Sequence, residues 1–565
     1  MSLFGSIRMA ANALQANQIG LQVVGQNIAN ANTPGYIREE VHFSPAPTQR
    51  HGDLMLGLGV EVEAVIQKID HFLEERLRGS VSDMTDAETQ ESSYTQLEGL
   101  IGELGDTDLS TSLTTFFNSI NEVLNQPQDV SIRNFTVLQG RTLAEDINRL
   151  SERVTAVRGD FNERMIDMAD QINRLIEEVR TLNIRIAETE GGQTSASDAV
   201  GLRDQRLIAL EELAKLVNIR VREQPSGGVA VYTGSNFLVF EGVLREVEVE
   251  MDSVNGLPVS TIRMAESNSP LEPSSGELHG LIVARDEIMD GFLADLDVFA
   301  ATLSYEFNKL YSSGQGLKGY DELTSEFAVS DKNLALNGAG LTYSPVNGSF
   351  QVMVHNTKTG MTQTTDVAVD LNGIGDDTTL LDLTNALNAI DGISANIEIG
   401  GNLTISSDSV DQEFAFAADT SGTLAALGLN TFFSGTNAQS LGVNEVVQDD
   451  PATFAASQGG IAADSNNAEL LAVMLDRAIE SRNGESLMVL YDRMTGQNTQ
   501  AAAVSRAIAE GARVFEGTLR AQKMATSGVS LDEEAVKMIA YQRSFQASAR
   551  YIAALDELFE IVVSL

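Results

Sequence analysis

Five histidines, His42, His51, His71, His279 and His355, are the only imidazoles in 565 residues. None belongs to a His-Glu-x-x-His motif, and no two stand close together at metal-ligand spacing. Cysteine is absent, which removes disulfides, thiolate metal sites and cysteine nucleophiles together. There is no Gly-x-Ser-x-Gly elbow and no Walker A loop. One Gly-x-Gly-x-x-Gly string, at Gly314, Gly316 and Gly319, follows the helical segment FNKLY and leads into polar chain. A dinucleotide site needs the reverse order, a strand before the glycines and a helix after them, so the string reads as a flexible helix exit. Asp376 and Asp377 form an acidic pair without the rest of a calcium loop, and read as solvated surface. These residues point to no catalysis, no cofactor and no resident metal: the chain reads as a structural subunit, not an enzyme.

Charge and hydropathy bound the partners. Lys and Arg number 37 against 80 Asp and Glu, a net charge of −43 that repels nucleic acid and anionic membranes. No apolar run approaches the roughly 18 residues of a transmembrane span. The N-terminal MSLFGSIRMAANALQANQ lacks the basic and continuous apolar regions of a classical signal peptide. A chain without cystines suits either the cytosol or an export route that avoids them. Hydrophobic residues make up 43%, enough for real cores, and the length suggests about three or four domains.

Periodicity supplies the elements. Ile7, Ala10, Leu14, Asn17, Leu21, Val24 and Ile28 recur at steps of three and four, a weak heptad seam that needs a partner helix. Asn32, Thr33, Pro34 and Gly35 end that helix, and residues 37–70 look irregular to extended. Helical patterning resumes at Phe72 and is clearest from Leu143 to Ile186, with a stutter at Phe161–Met165. Such a helix would be on the order of 70 Å long, a rod and not a compact globule. Alternation over 217–264, with turns at Pro225–Gly228 and Asn255-Gly256, predicts a small antiparallel sheet. Helix is expected again at 277–312. Residues 331–450 carry Lys332 and Lys358 against fifteen acidic residues, a net −13, and alternate between turns, with one short helix near 379–390. Helix then runs from about 465 to 525, with Leu487, Leu490, Met494, Gln497, Ala501, Val504, Ile508 and Phe515 on one face, which reads as intramolecular core. After Ser527-Gly528, Ser530 and Glu533 form a candidate capping box. They open a helix with a seam at Leu531, Glu534, Met538, Tyr541, Phe545, Ser548, Ile552, Leu555, Phe559 and Val562.

The order is nearly palindromic, so the first helix can pair with the last. The expected fold is α+β and multidomain. The terminal helices pair as a coiled coil in a terminal assembly domain (1–70 plus 527–565). A long helical rod domain (71–330 plus 451–526) carries a small β subdomain at about 217–264. A β-rich, acidic outer domain occupies 331–450. The ends also carry apolar residues off their seams, among them Leu3, Phe4, Ile19, Ile539, Ile561 and Val563, which need burial beyond one partner helix. Unassembled, such ends are expected to be disordered or molten and to fold on docking.

Residues 27–36, NIANANTPGY, resemble the signature of the axial proteins of the bacterial flagellum, the rod and hook family. The C-terminal SGVSLDEEAVKMIAYQRSFQASARYI resembles the terminal helix of the same family. LSTSLTTFFNSINEVL at 109–124 and SGELHGLIVARDEIMDGFLADLDVFAATLSYEFNKLY at 275–311 narrow the resemblance to its hook-associated members. LLDLTNALNAIDGISANIEIGGNLTISS resembles a small repeat of flagellins and hook-associated proteins.

The resemblance implies a secreted structural subunit at the hook–filament junction, made for flagellum assembly and motility. Its partners would be the hook protein, a second junction protein, copies of itself in a ring, an export chaperone and the type III export apparatus. It implies an N-terminal assembly surface of Leu3, Phe4, Ile7, Leu14, Leu21 and Ile28. The signature residues are Asn27, Asn30, Asn32, Thr33, Pro34, Gly35 and Tyr36. The C-terminal assembly and chaperone-binding surface would be Leu531, Met538, Tyr541, Phe545, Ile552, Leu555, Phe559 and Val562. Two other readings stand beside it. Another axial protein, hook or flagellin, fits less well, because hook proteins lack the long helices and flagellins lack the signature. A secreted enzyme or adhesin would use the β insert as its working part.

Overall fold

The computed structural model describes residues 3–51, 54–102, 108–191, 197–254 and 256–564. Asn255 of the expected Asn255-Gly256 turn, and the side chains of Leu3 and Val562, lie outside what is described. The chain divides into two compact units, one of Met1–Ser93, Gly159–Arg285 and Ala503–Leu565, the other of Tyr94–Arg158 and Asp286–Ala502. Among the described residues no helix is long and apolar enough to cross a membrane.

The first unit contains both ends of the chain. The N-terminal helix Leu3–Ala29 packs against the C-terminal helix Leu531–Ser564 and against the strands that follow it. The segment read as irregular folds as two antiparallel pairs, Glu39–Pro45 with Val60–Gln67 and Thr48–His51 with Leu54–Gly57. Helix Val130–Glu190 is continuous for 61 residues; its seam residues Phe161, Met165, Met168, Ile172, Val179, Leu182 and Ile186 are buried here, while Leu175 is half-buried and Ile176 lies inside in its place. The single sheet expected over 217–264 is two separate ones: four strands over Arg220–Leu244 and a hairpin of Val247–Val254 with Leu257–Met264.

Three asparagines on that long helix, about three turns apart, clamp the strands to it. Asn162 donates to Pro258 O (2.8 Å) and accepts from Ser260 N–H (3.0 Å). Asn173 takes both backbone groups of Val247 at 2.8 and 2.9 Å, and Asn183 both of Val229 at 2.8 and 3.0 Å. A carboxamide carries a donor and an acceptor side by side, so it satisfies a strand's free peptide edge in a way no apolar seam residue can.

Helix Leu487–Ser527 corrects two expectations. It does not begin near 465. A short helix, Asn466–Ala472, precedes it, and the chain turns between them through Asn483 and Gly484, both at positive φ. The face read as core is also not uniformly covered. Within the first unit Val504, Ile508 and Phe515 are more than half exposed, while Ser505, Ala509, Glu516 and Leu519 face inward. The inward face sits one residue round the helix from the apolar one because small side chains admit a closer neighbour. Leu519 joins Leu73, Leu77 and Val81 of helix His71–Gly102, and Lys523–Glu74 and Arg513–Glu88 pair alongside.

In the second unit Phe116, Phe117, Phe307, Tyr311, Phe432, Phe433 and Phe454 form one aromatic core at centroid separations of 4.9–6.2 Å. Residues 331–450 fall within this unit. They build two three-stranded sheets, one of which takes its edge strand, Glu322–Thr324, from before residue 331. Helix Leu380–Asn388 carries a complete capping box, Thr379 with Asp382. The glycine string is not a loose helix exit. Gln315 is buried and bridges Ser457 in both backbone directions, and a Cβ on Gly316 would lie 2.6 Å from Ala452 O. The glycines are there because two backbones touch. Asp377 closes a surface turn by accepting from Gly373 N–H (2.9 Å).

Replacing Asn183 with Ala strips Val229 of both partners and Arg206 of one (3.0 Å). Urea unfolding of the full chain should show a loss of about 3 kcal/mol, from buried groups left unpaired.

Candidate assembly site

The N-terminal helix stops where its side chains turn back on themselves. Asn30 donates from its backbone and from Nδ2 to Gln26 O at 3.0 and 3.1 Å, using one acceptor of the helix's last turn twice. Thr33 Oγ1 then donates to Asn30 Oδ1 (3.2 Å), and Tyr36 N–H to Thr33 O (3.2 Å). Asn32, Pro34 and Gly35 are exposed. Gly35 has φ +76°, and a Cβ there would lie 2.5 Å from Ile208 Cγ1, so both backbone sense and space require glycine.

That turn brings Tyr36 back to the helix. Its hydroxyl donates to Asn27 Oδ1 (2.8 Å), which also accepts from Glu39 N–H (2.9 Å). Asn27 Nδ2 donates to Glu39 O (3.0 Å) and to Glu534 Oε2 (3.1 Å), so a side chain only 1% exposed is fully satisfied. Arg38 Nε and Nη2 donate to Glu534 Oε1 at 3.0 and 2.7 Å, and Nη1 pairs with Glu533 at 2.9 Å. The Arg38 peptide extends the junction: its N–H donates to Ser527 O (3.0 Å) and its carbonyl accepts from Lys68 N–H (2.8 Å). Glu534 is entirely buried. Burial works against the Arg38 charge, but Glu534 and Glu533 outweigh it and raise its pKa.

The expected capping box is half made. Ser530 Oγ accepts from Glu533 N–H (3.4 Å), while the Glu533 carboxylate turns outward to Arg38.

Beyond this knot the two helices run side by side. On the C-terminal helix the covered positions are Glu534, Met538, Tyr541, Phe545, Ser548, Ile552 and Leu555, with Leu555 the most buried of the apolar ones. Phe559 lies at the edge, its ring 6.0 Å from that of Phe4, and Leu531 is 52% exposed. On the N-terminal helix Ile7, Leu14, Leu21 and Ile28 are half-buried and Phe4 is 71% exposed. The fully covered positions are small or polar: Ser6, Ala10, Ala16, Gly20, Val23, Val24 and Asn27. Gly20 shows why, since a Cβ there would meet the Tyr541 ring at 3.0 Å. Tyr541 also stands edge-on to Phe43, centroids 6.1 Å apart.

Arg38 and Glu534 escaped the sequence reading as functional residues. The signal available was a glutamate at a seam position, which only a buried cation could tolerate. Asp204 gave no signal at all. It is buried beneath the signature turn, accepts from Gln67 Nε2 (2.5 Å), and its pKa is raised to about 7. Burial is the main cause. Glu39 adds to it, while Gln67, the Ile37 peptide and Lys523 oppose it. Burial likewise raises the Tyr36 pKa, reinforced by Glu39, Asp204 and Glu534.

Three family profiles match. Residues 94–327 match the helical domain of the flagellar hook-associated protein FlgK, 7–36 the flagella basal body rod protein, and 520–565 the C-terminal part of the flagellar basal body rod FlgEFG protein. Flagellar hook-associated protein 1 of Bacillus subtilis is 25% identical over 574 residues, covering 100% of this chain and 98% of its own. The Salmonella typhimurium protein of that name is 22% identical over 571 residues, 99% of each chain. A solved structure, the flagellar hook junction protein FlgK from Burkholderia pseudomallei, aligns with a TM-score of 0.49 at 14% identity over 80% of this chain and 100% of that one.

Two measurements test this site. Arg38→Met leaves a buried carboxylate without its cation, and should cost about 3–5 kcal/mol, read as lost hydrogen-exchange protection at both ends of the chain. The double variant with Glu534→Met should recover most of it. Because Asp204 holds its proton in the fold up to about pH 7 but loses it near pH 4 when unfolded, it makes the fold less stable as pH rises between those values. Asp204→Asn should flatten that slope in chemical denaturation between pH 4 and 8.

Proposed function

Since this chain belongs to the flagellar hook-associated protein 1 family, we propose that it joins hook to filament and assembles through coupled folding of its two ends. It is an axial structural component of the flagellum. The N- and C-terminal helices would act as a coiled-coil pair, the helical segments between them as the body of the subunit, and 331–450 as its outward part.

One observation carries this reading. Among the described residues the C-terminal helix packs chiefly on the N-terminal helix, and apolar residues on its other faces stay in water: Val536 68%, Ile539 50%, Leu558 49%, Ile561 55% and Val563 71% exposed. Each large apolar side chain so covered contributes roughly 1.5–3 kcal/mol. Covering five of them adds up to about 7.5–15 kcal/mol to the burial already made against the N-terminal helix when neighbouring subunits supply the surface. Until then the same faces suit a groove-bearing export chaperone, which would keep them from aggregating. Copies of the chain in a ring, the hook protein on one side and a second junction protein on the other would be the partners that cover these faces. Secretion through the type III apparatus places the assembled protein outside the cell.

The knot gives the device its direction. Asn27, Arg38 and Glu534 lie where the two helices begin to run together, so pairing would start there and extend toward Phe4 and Phe559.

Deleting residues 531–565 should leave a soluble, folded remainder that does not restore filaments in a strain lacking the protein. Motile cells with filaments attached would refute coupled assembly. Replacing exposed residues of 331–450, among them Ile374, Ile399 and Val410, separates the adhesin or enzyme reading, which requires filaments to persist while motility or attachment is lost.

A further inference from the structure

In the first unit, apart from the paired ends, a cavity of about 470 Å³ opens between the start of helix His71–Gly102, helix Val200–Leu216 and the four-stranded sheet. Its wall carries three arginines, Arg78, Arg203 and Arg206, over an apolar floor of Leu210 and Val229, with Leu207 and Val221 half-buried beside them and Phe72 exposed at the mouth. The arginines are not equivalent. Arg203 is fully engaged, with Glu190 at 2.8 and 2.9 Å and Glu223 at 2.6 Å. Arg206 is 4% exposed and donates from Nη1 to Asn183 Oδ1 (3.0 Å) and Gly227 O (2.8 Å), leaving Nε without a partner. Arg78 is only 9% exposed and has no hydrogen bond or ion pair with any described residue.

The wall acids do not answer it. Glu74, one turn before Arg78 on the same helix, is taken by Lys523 at 2.9 and 3.0 Å, and Glu223 by Arg203. Glu75 stands exposed at the rim. Burial depresses the Arg78 pKa, and the fields of Glu74, Glu75 and Glu211 offset that only in part. Arg206 is pushed down to about 10, first by burial and then by Arg203. A buried guanidinium with unused donors is costly unless an anion completes it.

We propose that this cavity is a carboxylate-binding site in which Arg78 holds the ligand's oxygens. A guanidinium fork matches a carboxylate in two parallel hydrogen bonds. The apolar floor accommodates a short hydrocarbon stem. Glu75 and Glu223 toward the rim and Glu74 in the wall disfavour a dianion, so a monocarboxylate fits better than phosphate. The carboxylate comes from a free small acid or from an acidic side chain of a second copy of this chain, and both present the same chemistry to Arg78.

The test uses the full chain with butyrate as probe and inorganic phosphate as control. Calorimetric titration should show saturable butyrate binding, weaker binding of phosphate, and at least tenfold weaker butyrate binding in Arg78→Met. Arg78→Lys keeps the charge without the fork and should bind with intermediate strength. Circular dichroism and melting show whether each variant is folded, and Arg78→Met should melt no lower than the parent, because an unpaired buried charge has been removed. Butyrate binding lost in Arg78→Met assigns the site to a free acid. No butyrate binding, but concentration-dependent self-association in sedimentation that Arg78→Met abolishes, assigns it to a side chain of a second copy. Neither, or butyrate binding unchanged in Arg78→Met, overturns the proposal.

Discussion

A buried ion pair between residues almost five hundred positions apart holds the two ends of this chain together. Arg38 and Glu534 meet with Asn27 in a knot where every donor and acceptor of the asparagine is used. Such a pair adds little net stability, because burying two charges costs nearly what their attraction returns. Its value is in register. A helix pair covered mainly by small side chains can slide, whereas a buried carboxylate that slides off its arginine is penalised by several kcal/mol. The tight turn from Asn30 to Tyr36 exists to bring Tyr36 and Arg38 back to that point, and Gly35 is the residue that lets it close.

Close approach is the second theme, and it follows from small residues. The N-terminal helix meets its neighbours through Ser6, Ala10, Ala16 and Gly20, and helix Leu487–Ser527 through Ser505 and Ala509. In both cases the large apolar side chains are displaced to the flank or the outside. Within one subunit that arrangement wastes hydrophobic surface. In an axial structural component it leaves that surface available to neighbours while the internal geometry stays fixed by packing and polar contacts. The C-terminal helix differs, since its large seam residues do face its partner and its surplus lies on the remaining faces.

Polar side chains serve the interior in the same way. Asn162, Asn173 and Asn183 seat two sheets on one helix, and Asn308 in the second unit caps the Phe432 and Phe433 peptides at 3.0 Å each. A carboxamide fixes both the distance and the direction of a strand, which a hydrophobic contact does not. An acidic protein without cysteine can thus specify its β elements without disulfides.

The periodicities at 3–29, 143–186 and 531–564, the turn at Thr33–Gly35, the helix near 380 and the α+β class were legible from the sequence, because helices and turns are local and repeat their signals. The signature at 27–36 also named the neighbourhood of the knot. Which face of each helix lies inward was not legible. Apolar periodicity marks where large side chains point, but Gly20, Ala509 and Glu534 are inside for reasons that belong to their partners: a Tyr541 ring, a neighbouring helix, the Arg38 guanidinium. The interrupted 465–525 segment and the two separate sheets were hidden likewise, since Asn483 adopts its turn only in context and Asn173 and Asn183 each claim a strand from another part of the chain. The sequence by itself determined most of the long helices, the charge and the pairing of the ends. Tertiary structure decided which atoms meet, because a contact such as Arg38–Glu534 depends on distance in space and leaves no period along the chain.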